Sequence, residues 1–225
     1  MCNSGTVDDT EARWSVVSNP VRGEVPVRST PLQRQLQEGT SPPPATPLEA
    51  LEIAGQWFKQ GRRIDIQGLA GELGVSRVTL HRWVGTREQL LTEVLWASTD
   101  RALSRLHNQV EDEGVSISHT AEVLSRWAVE VVGHPGVRQL QAEEGEMFTR
   151  LVTLNHSEFQ RRVIDRVAQL IVEDRQQSRI AIDLDVEELA YTTVRITESF
   201  IHTPAITGGA PDPDSNARVL RALLR

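Results

Sequence analysis

The sequence has almost no cysteine and no long apolar segment. Cys2 is the only cysteine among 225 residues, so neither a disulfide framework nor a Cys-rich zinc site can form. No apolar run reaches the roughly 18 residues that cross a bilayer, and the N-terminal region has no apolar signal-peptide core. We therefore expect a cytoplasmic protein without a membrane partner.

The sequence also lacks the motifs of common catalytic sites. It contains no His-x-x-x-His or His-Glu-x-x-His pair, no phosphate-binding glycine loop and no Gly-x-Ser-x-Gly. Glu143, Glu144 and Glu146 lie between His134 and His156, at spacings that do not suit a metal site. We expect a solvated acidic turn there, no enzyme activity and no cofactor, and we keep a helical metal-dependent hydrolase as the less favoured alternative.

Nothing in the sequence alternates as a β-strand does, and no internal repeat is present. Apolar residues recur at helical spacing, which predicts an all-α protein. Residues 1–45 are rich in Ser, Thr, Pro and Glu and predict a disordered tail. Residues 46–92 predict a DNA-binding unit of three helices, and residues 93–225 predict a helical domain for ligand binding and dimerisation. The predicted helices begin at Thr46, Asp65, Ser76 and Thr86 and continue at about 118–132, 136–153, 157–178, 185–203 and 214–225.

Charge is distributed unevenly along a chain whose net charge is −7. From Lys59 to Arg87 six basic residues stand against two acidic ones, whereas from Ala97 onward 14 arginines stand against 20 acidic residues. A basic segment joined to an acidic body keeps the attraction for phosphate on one face. Ordinary scatter of surface charge is the alternative explanation of this local excess.

The segment from Ile66 to Trp83 fits a helix-turn-helix. This motif needs a small residue where two short helices touch, a turn residue that tolerates positive φ, and apolar side chains beneath. Ala70 supplies the small contact and Gly74 the turn. Any one of these residues would suit an ordinary helical hairpin, but seven positions fit together. The apolar side chains are Leu69, Leu73, Val75, Leu80 and Trp83.

The stretch LAGELGVSRVTLHRWVGTREQLL, residues 69–91, resembles the TetR family of repressors, and the similarity covers about residues 47–95. The resemblance implies that the third helix enters the DNA major groove and that the remaining helices dimerise and hold a ligand. His81 stands where the family usually has tyrosine, Val84 where it has phenylalanine, and Arg87 where it has lysine. The predicted DNA-contacting residues are Asp65, Ser76, Arg77, Val78, Thr79, His81, Arg82 and Arg87.

Two short segments resemble the QsdR-type branch of that family. They are Arg82-Trp83-Val84-Gly85 followed by Arg87, and Arg195-Ile196-Thr197-Glu198-Ser199-Phe200. Regulators of this branch are linked to the degradation of lactone quorum signals and to acyl-chain ligands. The resemblance therefore implies an acyl lactone or a fatty acid as the ligand.

In the C-terminal body, Tyr191, Arg195, Glu198 and His202 follow one another at spacings of four, three and four. They predict a shared stripe that is a solvated face, the polar end of a ligand pocket or a dimer contact. Most large apolar side chains should fill the core, and some should touch a ligand. The predicted ligand-binding residues are Trp96, Leu103, Trp127, Met147, Phe148, Leu151, Tyr191, Arg195 and Glu198.

These patterns together predict a homodimeric transcriptional regulator. The helix at 185–203 and the last stretch of the chain can pair with their copies across a two-fold axis. The resemblance implies repression from a palindromic operator and release by a small, mainly apolar ligand. A regulator controlled by a partner protein, with no small-molecule ligand, is the alternative.

Overall fold

The computed structural model describes residues 45–114, 118–153 and 158–225, and every regular element in these ranges is a helix. From Ala45 onward the chain forms one compact unit. The all-α prediction is therefore confirmed. The tail predicted for residues 1–45 and His156 lie outside the described residues, apart from Ala45.

Three short helices begin the described chain: α1 is Pro47–Lys59, α2 is Ile66–Glu72 and α3 is Arg77–Val84. Each starts where a side-chain oxygen accepts a hydrogen bond from a free backbone amide of the first turn. Thr46 accepts from the amide of Glu49 at 3.2 Å, Asp65 from that of Gly68 at 2.6 Å, and Ser76 from that of Thr79 at 3.0 Å. These starts agree with the predicted ones.

Helix α4, Arg87–Asp112, is the longest. The predicted capping box at its start is present, because the Gln89 amide donates to Thr86 Oγ1 at 3.2 Å and the Thr86 amide donates to Gln89 Oε1 at 2.7 Å. The predicted boundary between residues 92 and 93 falls within this helix.

The remaining helices are α5 (His119–Gly133), α6 (Pro135–Thr153), α7 (Phe159–Gln176), α8 (Val186–Ile201), α9 (Thr203–Thr207) and α10 (Pro213–Leu223). Helix α5 lies at the centre of the body, where it packs against α4, α8 and α10, while α7 packs against α8. Leu103, Leu124, Leu170, Leu189 and Leu220 are fully or almost fully buried between these helices. Within the described residues, no helix combines the length and apolarity that crossing a membrane requires.

Two features depart from the expected pattern. Helix α6 is kinked, because Glu144 has φ −141° and ψ 38°. The short helix α9 follows α8 directly and ends at Gly208, whose φ of +72° stops it.

The first three helices contact the body mainly through α1, which packs against α4 and α6. Phe58 stacks on His134 with ring centroids 4.6 Å apart. A Cβ atom at Gly136 would lie closer to the Phe58 carbonyl oxygen and ring than real Cβ atoms come. The two helices can therefore approach this closely only because residue 136 is glycine.

Candidate nucleic-acid interface

Helices α2 and α3 have the geometry of a helix-turn-helix. Gly74 in the turn has φ +65°, a conformation that glycine adopts without strain. Leu69, Ala70 and Leu80 are buried beneath the motif, and Leu80 points from α3 into the core. The predicted turn residue and small contact residue therefore hold these positions.

The outer face of α3 is basic and carries no acidic side chain. Arg77, Val78, His81 and Arg82 are exposed and line one shallow depression. Val78 is 77% exposed, so its apolar side chain is accessible to a partner. Neither arginine forms an ion pair with a described residue, so both guanidinium groups are available to an external anion.

Other predicted contact residues already have hydrogen-bonding partners. Ser76 Oγ accepts from the Thr79 amide and lies 2.9 Å from Thr79 Oγ1. Asp65 caps α2, where its carboxylate offsets the free amides of the first turn. Their first roles are local, and contact with DNA stays a prediction for Asp65, Ser76 and Thr79.

Arg87 is tied to the body. Its guanidinium donates to both carboxylate oxygens of Glu144, at 2.7 and 2.6 Å, and to the carbonyl oxygen of Ile64 at 2.6 Å. Arg63 also donates to Glu144, at 3.2 Å. We call these four residues the Glu144 cluster. The Arg87 and Glu144 side chains are only 22% and 19% exposed.

The Glu144 cluster joins three parts of the fold. Arg63 and Ile64 lie between α1 and α2, Arg87 begins α4, and Glu144 lies at the kink of α6. Bidentate arginine–carboxylate pairs fix both distance and orientation. Hydrogen bonds from Arg87, and then from Arg63, hold the pKa of Glu144 below its ordinary value. The predicted DNA contact of Arg87 would have to coexist with this pairing.

A second carboxylate is buried in the body. Glu198 on α8 accepts from the Gln160 side-chain amide and pairs with Arg195 Nη1 at 2.7 Å. Gln160 also donates to the Val152 carbonyl at 2.5 Å. Burial raises the pKa of Glu198 despite the neighbouring arginine.

The predicted polar stripe on α8 divides between two environments. Glu198 is buried, whereas Tyr191 is 54% exposed and Arg195 is also exposed. His202 is half-buried near Phe148, with ring centroids 6.0 Å apart, and burial lowers its pKa.

The predicted ligand-binding residues do not gather around one cavity. Leu103 is fully buried, and Trp96 and Met147 are half-buried. Trp127 lies beside α1 in a groove of about 660 Å³. Phe148 and His202 line a pocket of about 740 Å³ between α6 and α9, and Leu151 lies in an open depression beside α1 and α4.

Sequence reasoning did not identify Gln160, Arg63 or the pairing role of Glu144. Their partners are 38, 81 and 57 positions away along the chain. The only sequence signal was the acidic cluster at 143–146, which we interpreted as a solvated turn. That interpretation is wrong for Glu144, which is partly buried in ion pairs at a helix kink.

The acidic cluster does not form a metal site with its neighbours. Glu143 accepts from Gln139 at 2.7 Å, Glu144 pairs with arginines, and His134 stacks on Phe58. In the parts of the chain that the structure describes, no three histidine, cysteine or acidic side chains come together as a metal would require.

The fold and this face define an all-helical protein that carries a helix-turn-helix ahead of a larger helical body. Residues 117–225 match the family described as the tetracyclin repressor-like C-terminal domain. This match confirms the resemblance to the TetR family over residues 117–225, and the all-helical fold of the described chain agrees with it.

Solved structures of transcriptional regulators share this fold. The transcriptional repressor QsdR of the TetR family from R. erythropolis has 23% identity and a TM-score of 0.68, over 79% of this chain and 93% of QsdR. RolR in complex with resorcinol has 13% identity and a TM-score of 0.61, over 86% and 90%. FadR from Bacillus subtilis in complex with stearoyl-CoA has 12% identity and a TM-score of 0.52, over 79% and 99%. No curated protein sequence matches the chain.

Proposed function

We propose that this chain is a cytoplasmic repressor that binds a palindromic operator as a homodimer and leaves it when a small, mainly apolar ligand binds. We infer DNA binding from the exposed face of α3. Arg77, His81 and Arg82 can donate hydrogen bonds to phosphates or to base edges, and Val78 can contact a thymine methyl group. DNA is the partner that suits both the charge and the exposed valine.

The dimer proposal is supported by the outer surface of the body. Helices α8 and α10 pack together. They leave Tyr191 54% exposed and Val219 40% exposed on the outside. A two-fold copy would cover these side chains and set two α3 helices at a fixed separation, as a palindrome requires.

The effector proposal is supported by the groove of about 660 Å³ beside Trp127, where apolar side chains outnumber polar ones. A ligand with an apolar body and one polar end fits such a lining. Release then requires that the ligand prefer the arrangement of the α3 helices that fits DNA less well. The predicted residues from Trp96 to Glu198 stay a proposal for its contacts.

The test of DNA binding replaces Arg77 and Arg82 together by alanine. We expect at least a roughly 30-fold loss of affinity, because each specific contact contributes about 1–3 kcal/mol. The operator is first selected from a random DNA pool with the native protein, and affinities are measured by fluorescence anisotropy.

The control variant Arg161→Ala/Arg166→Ala removes the same charge from α7, and both of its positions lie outside the helix-turn-helix. It should bind DNA within a few-fold of the native protein. Equal affinity of the native protein and the Arg77→Ala/Arg82→Ala variant at physiological salt would refute the interface. Circular dichroism checks that both variants are folded.

A further inference from the structure

A groove of about 660 Å³ lies between α1 of the DNA-binding unit and helices α4, α5 and α6 of the body. Its volume is in the range of small-molecule sites. Leu51, Ala102 and Val131 are partly exposed and supply its apolar surface from α1, α4 and α5. The buried rings of Phe58 and Trp127 lie beneath that surface. An occupant would therefore touch the helix-turn-helix unit and the body at once.

The charged side chains around the groove are mostly basic. Lys59, Arg101 and Arg105 line it together with one acid, Glu130. Arg105 is already paired with Glu130 at 2.5 Å. Lys59 and Arg101 are exposed and form no ion pair with a described residue. Two unpaired cations thus stand at the rim of an apolar surface.

A glycine inside α1 opens onto this groove. Gly55 lies in the middle of the helix, where glycine is the least favourable residue apart from proline. A Cβ atom at this position would meet no atom within 4 Å, so packing inside the protein does not require glycine. Glycine also permits the close approach of a ligand to the backbone, and Gly55 lies in the wall of the groove, where a ligand could make that approach.

We propose that this groove binds an amphipathic monocarboxylate, with its apolar part on Leu51, Ala102 and Val131 and its carboxylate between Lys59 and Arg101. The inference deepens the proposed function and rests on it, since it names the charge of the effector and places it in a groove that only Trp127 of the predicted ligand-binding residues lines. Because α1 forms one wall, occupancy is coupled to the position of the helix-turn-helix, and DNA and the carboxylate must affect each other's binding by the same factor.

The probe is octanoate, titrated into the full-length protein by calorimetry, with 1-octanol as the uncharged molecule of the same chain length. We expect octanoate to bind more tightly than 1-octanol. Lys59→Gln/Arg101→Gln should weaken octanoate binding by about tenfold or more, because it removes both charge-assisted contacts. The control Arg161→Gln/Arg166→Gln should leave octanoate binding unchanged.

A second pair of variants tests the position of the site. Gly55→Leu places a side chain in the open groove, and its Cβ atom would meet no neighbouring atom within 4 Å. The variant should therefore stay folded and lose octanoate binding. Gly55→Ala fills little of the groove and should retain most of the affinity.

The inference is overturned if millimolar octanoate gives no heat with the native protein, if 1-octanol binds equally well, or if Gly55→Leu binds octanoate as the native protein does. None of these results bears on DNA binding, which the Arg77→Ala/Arg82→Ala titration tests separately. If the Arg77→Ala/Arg82→Ala variant bound DNA as tightly as the native protein while octanoate still bound, the proposed DNA-binding function would be wrong and the carboxylate site would stand.

Discussion

The Glu144 cluster should stabilise the fold measurably, and Glu144→Gln is the perturbation that shows it. The amide keeps the shape of the carboxylate but offers an NH2 group where Arg87 now finds its second oxygen. The variant therefore loses one of two charge-assisted hydrogen bonds at 2.6–2.7 Å, and it weakens the other by removing the negative charge.

The size of the effect follows from burial. Hydrogen bonds to charged groups contribute about 1.5–3 kcal/mol, and the Arg87 and Glu144 side chains are roughly four-fifths buried. The bond from the more exposed Arg63 adds little. We expect Glu144→Gln to lower the free energy of unfolding by about 2 kcal/mol at pH 7.

The effect should depend on pH in a defined direction. Arg87 and Arg63 lower the pKa of Glu144 in the folded state below the ordinary value of 4.5. Glu144 therefore binds a proton more readily in the unfolded chain than in the folded protein. The stabilisation by the Glu144 cluster is complete above pH 4.5 and is lost as the pH falls through the lower pKa of Glu144 in the folded state. The difference between the native protein and Glu144→Gln should shrink accordingly in acid.

The assay is urea unfolding followed by tryptophan fluorescence. Glu146→Gln is the matched control, because Glu146 is exposed on the same helix and pairs with no described residue. A double-mutant cycle with Arg87→Gln isolates the pairwise energy. Equal unfolding midpoints for the native protein and Glu144→Gln at pH 7 would refute this account of the cluster.

Three further predictions follow from the fold. Gly136→Ala should lower the melting temperature in calorimetry, by the equivalent of about 1–3 kcal/mol, because the new Cβ would overlap the Phe58 carbonyl. The control Gly133→Ala should have little effect, because a Cβ at that position meets no atom within 4 Å. Burial raises the pKa of Glu198, so its contribution to the stability of the native protein should be lost as the pH rises above 4.5. Glu198→Gln should remove that loss. Parallel pH profiles of the unfolding free energy for the native protein and Glu198→Gln would contradict this prediction. The native dimer should protect an imperfect palindrome with half-sites about one helical turn apart or slightly more in footprinting, and protection of a single asymmetric half-site by a monomer would rule this geometry out.

The parts of the fold that the sequence predicts well are those determined locally. The helices begin at Thr46, Asp65, Ser76 and Thr86 because each of these short polar side chains reaches the amide three residues ahead. Gly74 turns the chain because its backbone tolerates positive φ. These interactions need no knowledge of the rest of the molecule.

The interactions that sequence reasoning missed are long-range. Nothing near Glu144 in sequence indicates that Arg63 and Arg87 surround it, because these partners lie 81 and 57 positions away along the chain. On α8, helical spacing correctly aligned Glu198 with Tyr191, but alignment gives the direction of a side chain and not what covers it. Glu198 is covered by α7 through Gln160, and Tyr191 remains exposed.

The contacts of α1 determine which part of the molecule can be exchanged between relatives. Helix α1 packs on α4 and on the start of α6, and α4 runs unbroken from Arg87 to Asp112 across the nominal boundary at 92 and 93. A chimera joined at that boundary would combine two halves of one helix and mismatch α1 with its supports. The segment from Asp65 to Gly85 contains α2 and α3 and leaves those supports intact, so it is the natural cassette for transplanting operator specificity.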